Sequence, residues 1–469
     1  MWQRVVKNTF WLTSGEILGR ALRVILILVA ARSLGAGSWG IFSYILTLAA
    51  LFTIVADLGL GAVLTREVIR QPEKDREHLA AVFWLKLIFL AAATIVIITL
   101  APFFTKLPLS SILFTLTALL VISDSLRLFA TALNRAREKM HLEAIVNVFT
   151  QAMILTLGLG ALLKYNSLQA LTTGYVMGSV LGTLLAFWTI RHYLGKIFSA
   201  FDKKLVRSVI TAAWPFALVG LVGAVMLSTD ILFLGWLRTA EEIGYYSAGQ
   251  KIIFVLYLLP ALISTAVFPS LTRLANKDRP AFGQMLSQAV KLTFLLSLPL
   301  TLGGLVLARD LIVIFYGPTF TPAITAFKIL LLTLAVNFPA TIFGNALFAY
   351  DRQIDFLKFS ALGAGLNIIF NLILIPPFGI EGSAGATLLT QIISNAFIWW
   401  RMQQVNQFRV IGQLGKIGSA TLVMTGAALL SQQLDINFFL IVGLAIIVYL
   451  ASLYFLKEEA LWSLIPWLD

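Results

Sequence analysis

One pattern constrains this chain more than any other: about fourteen apolar stretches follow one another with short connections between them. A helix that crosses a bilayer needs about 20 mostly apolar residues. The stretches fall roughly at 8–34, 37–62, 79–101, 108–133, 143–163, 167–190 and 208–237, and continue at 242–271, 284–308, 321–348, 355–376, 381–403, 413–431 and 436–456. Charged residues make up only 12% of the chain, against about 25% in a soluble domain. The fold class expected is therefore all-α, a polytopic membrane protein with no large soluble domain.

The net charge of +13 would point to nucleic acid in a soluble protein. Here the bases collect in alternate short loops, as the positive-inside rule requires. One side carries Arg66, Arg70, Lys74 and Arg76, then Arg135, Arg137 and Lys139, then Lys196, Lys203, Lys204 and Arg207, then Arg273, Lys277 and Arg279. The other side carries isolated bases such as Lys106, Lys164 and Arg309. Both termini are expected in the cytoplasm, in the plasma (inner) membrane, and nucleic acid is not expected as a partner. The chain has no cysteine and only three histidines, so neither a disulfide nor a metal centre is expected, and no cofactor.

The first stretch, Asn8 to Leu34, carries Glu16, Arg20 and Arg23. At about 100° per residue these share one narrow arc with Thr9 and Thr13. A charge near the bilayer centre costs roughly 2.5–3.5 kcal/mol on insertion scales, and survives where it faces protein or a wet cavity. Glu16 and Arg20, one turn apart, can pair, which leaves Arg23 without a partner on its own helix. A cavity lining is the reading this supports. Lys251, with Ser247 one turn before it, is the second deep cation and is placed in the same cavity.

Asp124 and Arg127 are spaced to pair on one helix, with structural and gating roles both open. Asp230, after Ser228 and Thr229, is read as a gate contact or a wet helix end. Asn337, Thr341 and Asn345 form a polar stripe beside Pro339 and are read as a cavity wall; such stripes also serve as interhelical hydrogen bonds. Asp57 reads as a solvated helix end, and Lys86 and Lys291 as snorkelling cations. The loop Arg66–His78 reads as a short interfacial or solvated segment. No catalytic residues are assigned. There is no Gly-Lys-Ser/Thr phosphate loop, and Asp351 with Asp355 is only half of an aspartate-rich magnesium motif.

A faint repeat relates helix n to helix n+6. Gly40-Ile41-Phe42-Ser43 matches Gly244-Tyr245-Tyr246-Ser247, and Leu128–Leu133 matches Ile342–Leu347. An even offset preserves orientation, so the repeats are parallel, with a substrate site expected between them. The organisation expected is a six-helix bundle over 1–195, a basic linker and second six-helix bundle over 196–404, and an accessory helix pair with a cytoplasmic tail over 405–469.

The chain resembles the polysaccharide-biosynthesis, O-antigen-type flippases of the multidrug/oligosaccharidyl-lipid/polysaccharide exporter superfamily. The resemblance is carried by Asn8-Thr9-Phe10-Trp11-Leu12-Thr13-Ser14-Gly15-Glu16, Leu34–Ser43, Asp57-Leu58-Gly59-Leu60-Gly61, Ile243–Ala248 and Pro377–Ala386. It implies two lobes around a cavity that opens alternately to either face. It also implies a cargo of oligosaccharide on polyprenyl diphosphate, turned from the cytoplasmic to the outer leaflet, with Arg20, Arg23 and Lys251 as the cationic cavity residues. Membrane lipids, and glycosyltransferases and a polymerase of the same pathway, are the partners that follow. Arginine suits such a cargo because it binds phosphate through paired donors. A proton- or sodium-coupled exporter of organic cations would instead need free carboxylates in the cavity, where Glu16 is the one clear candidate. A membrane-embedded glycosyl or polyprenyl transferase would need paired acidic metal ligands, which the sequence does not offer.

Overall fold

A computed structural model describes residues 2–199 and 203–458. The side chains of Arg4, Thr9, Lys196, Lys203 and Lys204, and the tail 459–469, lie outside the described residues. The helices run α1 (Trp2–Asp57), α2 (Leu60–Arg70), α3 (Asp75–Thr99), α4 (Ser111–Ala136), α5 (Met140–Tyr165), α6 (Leu168–Thr189), α7 (Arg191–Ser199) and α8 (Lys203–Leu237). They continue as α9 (Ala240–Leu256), α10 (Leu258–Leu274), α11 (Arg279–Val306), α12 (Ala308–Tyr316), α13 (Ile324–Ala349), α14 (Gln353–Val405), α15 (Gly415–Gln433) and α16 (Phe438–Phe455).

Among the described residues, eleven continuous helical runs are long and apolar enough to cross a membrane. Two of them are double length. α1 breaks at Gly35 (φ 73°) and α14 at Gly379 (φ 58°), in the left-handed region that glycine enters without penalty. Counting each as two, and adding α15, gives the fourteen crossings that the apolar stretches predict. Large apolar side chains such as Ile88, Leu184, Leu440 and Ile447 remain more than half exposed, as lipid-facing residues do.

The chain divides into two compact units, Met1–Gly244 and Tyr245–Asp469. In the first, α5 and α6 pack through Gly174, Gly178 and Gly182, spaced four residues apart. A Cβ at Gly178 would meet the Ile154 backbone at 2.5 Å, so the helices approach closely enough for backbone to touch backbone. α8 packs on α1, α2 and α3, which draws it into this unit.

α2 was not expected as a separate element. The second apolar stretch ends at Asp57, and Leu58 (φ 41°) and Gly59 (φ 78°) turn the chain. A Cβ at Gly59 would meet the Ala213 carbonyl of α8 at 2.7 Å. α2 then buries Leu60, Val63, Leu64 and Val68, at helical spacing, against Val82, Phe129 and Val209.

The repeat motifs meet one another. A Cβ on Gly40 would overlap the Ala240 carbonyl, and one on Gly244 would overlap the Ala36 carbonyl. The two contacts are reciprocal: each glycine sits against the residue one turn before the other.

In the second unit, Phe282, Leu286 and Val290 of α11 pack with Phe343 and Leu347 of α13 and Met402 of α14. α15 and α16 lie on the same α11, with Met424, Ala445 and Tyr449 buried against Leu295. The Tyr449 hydroxyl donates to the Leu295 carbonyl at 2.7 Å.

Candidate functional site

The charged arc of the first helix is positioned by two glycines. Gly15 and Gly19 let α5 approach so closely that a Cβ on Gly15 would lie 2.8 Å from the Ala144 Cβ. Asn147 and Gln151 of α5 are thereby brought beside the charges. Arg20 Nε donates to Glu16 Oε1 at 2.7 Å. Asn147 Nδ2 donates to Glu16 Oε2 and to the Gly15 carbonyl, each at 3.3 Å. Arg23 Nε reaches Gln151 Oε1 at 3.4 Å. The Arg20 and Glu16 side chains are 46% and 52% exposed. Arg23 is exposed, and among the described residues it has no ion pair.

Behind this arc stands the second polar group. Arg127 donates to Asp124 Oδ1 at 2.5 Å, and the Ser179 hydroxyl of α6 donates to the same oxygen at 2.7 Å. The buried Tyr175 of α6 lies near the charges of Arg23, Asp124 and Arg127. Helices α1, α4, α5 and α6 thus converge on one polar region within the first unit. The pairing of Asp124 with Arg127 follows from their spacing. Tyr175, Ser179, Asn147 and Gln151 carried no signal in the sequence, because a lone polar residue in an apolar stretch has no local partner to mark it.

Asp230 is 4% exposed, with Ser228 and Thr229 buried beside it, so the wet-helix-end reading does not hold. Lys251 lies half-buried, one turn beyond the fully buried Ser247. On α13, Asn345 Nδ2 donates to Ser264 Oγ of α10 at 2.7 Å, and Ser264 Oγ donates to the Thr341 carbonyl at 3.1 Å. The Thr341 hydroxyl turns back to the Asn337 carbonyl at 3.2 Å. A cavity of about 410 Å³ does touch α13, but Pro339, Val336 and Phe343 line it, and these occupy the other side of the helix from the Asn337–Thr341–Asn345 stripe.

Three further readings change. Lys86 is 1% exposed and its Nζ lies 2.5 Å from Asp57 Oδ1, so Lys86 does not snorkel and Asp57 is not a solvated end. Lys291 is likewise buried, 2.5 Å from the carboxylate of Glu458. Asp355, read as half of a metal motif, is 1% exposed and accepts from Arg401 at 2.7 Å. Each lysine or aspartate is matched by a group far along the chain.

The sequence matches the model of a family described as polysaccharide biosynthesis protein over residues 5–275. It matches the MatE family model over residues 215–373. A probable low-salt glycan biosynthesis flippase, Agl15, of Haloferax volcanii is 26% identical over 394 residues, covering 82% of this chain and 81% of that one. A putative O-antigen transporter of Shigella flexneri is 23% identical over 372 residues, covering 76% and 85%. Among solved structures, the lipid II flippase MurJ in an inward closed conformation superposes with a TM-score of 0.78 over 96% of this chain and 99% of that one, at 18% identity. An inward-facing multidrug resistance MATE family transporter superposes with a TM-score of 0.65 over 81% and 94%, at 12% identity. The fold is therefore that of MurJ and the MATE transporters, and with more than half of its length matched by one family model, the chain belongs to the polysaccharide biosynthesis protein family.

Proposed function

We propose that the chain is a flippase, carrying a polyprenyl-diphosphate-linked oligosaccharide from the cytoplasmic to the outer leaflet of the plasma (inner) membrane, both termini being cytoplasmic. The observation that carries this is the electrostatic state of the first helix. The Glu16 carboxylate is occupied by Arg20 and Asn147, whereas Arg23 is held only by a neutral amide. Such a face offers positive charge and withholds negative charge. That suits a diphosphate and disfavours an organic cation. Asp57 and Asp124 are likewise matched by Lys86 and Arg127.

In this reading Arg20, Arg23 and Lys251 serve the diphosphate. Glu16, Asp124, Arg127 and Asp230 serve gating or coupling, and Asn337, Thr341 and Asn345 serve the cavity wall. The repeats are residues 1–195 and 196–404, followed by the accessory pair 405–469. The relatives, a probable glycan biosynthesis flippase and a putative O-antigen transporter, support the cargo class. The glycosyltransferases and polymerase that build such a glycan are its partners, and the chain itself performs no covalent chemistry.

The test is translocation of a lipid-linked oligosaccharide in reconstituted vesicles at matched protein levels. Removing one partner of a desolvated charge pair costs about 2–5 kcal/mol, roughly 30- to 4,000-fold in affinity. Arg23→Ala should therefore abolish or severely reduce transport in a protein that remains folded, and Lys251→Arg should be milder than Lys251→Ala. Full transport with Arg20, Arg23 and Lys251 all changed to alanine overturns the assignment.

A further inference from the structure

The second unit contains a polar cavity of about 630 Å³ that the transport reading does not use. One wall is the first half of α11. Gln284, Ser287, Gln288 and Lys291 recur there at helical spacing, a polar stripe running roughly 10 Å up a helix that spans the membrane. The other wall is the segment joining α14 to α15, which contributes Gln407, Arg409 and Gln413.

This wall is built into the fold. A Cβ on Gly283 would lie 2.6 Å from the Gln407 carbonyl, so the segment sits directly on the helix backbone. Asn406 Nδ2 donates to the Arg279 carbonyl at 3.0 Å and to the Tyr350 hydroxyl at 2.8 Å, and the Arg409 amide donates to Ser287 Oγ at 3.3 Å. The Arg409 side chain is exposed, and among the described residues it has no acidic partner. Lys291 is buried against Glu458.

The polar cavity has an apolar neighbour. Phe408 lines the polar one, and its ring stacks 5.2 Å from Phe343 and 5.3 Å from Trp399. Phe343 and Trp399 line the apolar cavity of about 410 Å³ together with Phe294, one turn beyond Lys291 on α11. A cationic, amide-rich chamber and a greasy one thus share a wall, on the side of the membrane that the basic loops mark as cytoplasmic.

We propose that this pair of cavities is a binding site for an anionic phospholipid, with the phosphate held by Arg409 and Lys291 and an acyl chain lying against Phe294, Phe343 and Trp399. Basic pockets between membrane helices on the cytoplasmic side take lipid headgroups. Amides line the rest of the chamber and can donate to phosphate oxygens. The Glu458 carboxylate is the internal competitor: it occupies Lys291 in the empty site and yields it when phosphate enters.

The experiment is native mass spectrometry of the full chain in neutral detergent. It is titrated separately with dioleoyl phosphatidylglycerol, its six-carbon-chain analogue, phosphatidylcholine and inorganic pyrophosphate. Long-chain phosphatidylglycerol should be retained in preference to the other three. A surface cation near a membrane is worth about 1 kcal/mol, or roughly five-fold. Arg409→Gln, at an exposed position that does not support the core, should therefore weaken retention about five-fold. Glu458→Gln should strengthen it, an outcome that a purely structural Lys291–Glu458 pair does not give. Arg23→Ala, in the other unit, should leave retention unchanged, which keeps this site separable from the transported cargo. Pyrophosphate binding as tightly as the lipid would make this a soluble-anion site and overturn the proposal. So would phosphatidylglycerol retention that is indifferent to Arg409→Gln.

Discussion

Lys86 Nζ and Asp57 Oδ1 stand 2.5 Å apart, joining α3 to the end of α1, with the lysine 1% exposed. Lys291 holds the corresponding place in the ninth crossing, six helices later. Aligning the repeats on Gly40 and Gly244 puts Ala261 where Asp57 stands in the first copy. The second copy has no carboxylate there and takes one from Glu458 instead. Removing one partner of a buried pair costs about 3–5 kcal/mol, while replacing both with apolar groups is often neutral. Because Asp57 is 22% exposed, Asp57→Asn should sit at the low end, about 3 kcal/mol. The double change Lys86→Met with Asp57→Leu should recover most of that loss in thermal unfolding of the purified protein. Additive losses would show that the two residues act independently.

The reciprocal contacts of Gly40 and Gly244 have no slack, since the atoms a Cβ would strike belong to backbone carbonyls. Gly40→Ala or Gly244→Ala should hold these helix ends apart. Transport is expected to fall by at least about ten-fold, the effect of roughly 1.4 kcal/mol, with little change in expression. A cysteine placed at Glu241 in this cysteine-free chain should at the same time become more reactive to an impermeant thiol reagent. Unchanged reactivity and transport would mean that the contact is incidental.

Glu16→Gln separates the two transport readings. It removes the only carboxylate on the charged arc and frees Arg20. For an anion carrier, binding of the lipid-linked diphosphate should persist or tighten. For a cation exporter, activity and cation binding should vanish together. Binding measured in vesicles at matched protein levels decides between them.

Orientation is open to direct measurement. Single cysteines at Lys74, Lys203 and Lys277 should be labelled only after the membrane is breached. Cysteines at Glu381 and Asp435 should be labelled in intact cells. External labelling at Lys203 would reverse the assignment of the cytoplasmic face.

The sequence was most readable where causes are local. Gly35 and Gly379 interrupt apolar runs, and the chain breaks there. Glu16 with Arg20, and Asp124 with Arg127, pair at the spacing that one helix imposes. It was least readable where a partner comes from another helix. Asp57 looked solvated because Lys86 is 29 residues away, and Lys291 because Glu458 lies beyond five further helices. α2 was hidden because four buried residues in eleven, flanked by charges, resemble a solvated loop until α3, α4 and α8 supply the surface they cover. The bond from Asn345 to Ser264 was equally unreadable, because nothing in the sequence announces a partner on another helix.

The Lys291–Glu458 pair also has a consequence for the order in which the protein can be completed. In a chain emerging from the ribosome, both partners of the Lys86–Asp57 pair are present once the third crossing has been made. Lys291 must instead wait, in a helix already in the membrane, until α12 to α16 have been made and Glu458 arrives. During that interval the second unit carries an uncompensated lysine, and α11 lacks the cover of α15 and α16. The first unit can settle during synthesis; the second waits for Glu458, so a chain interrupted before that residue carries an exposed mark of its incompleteness.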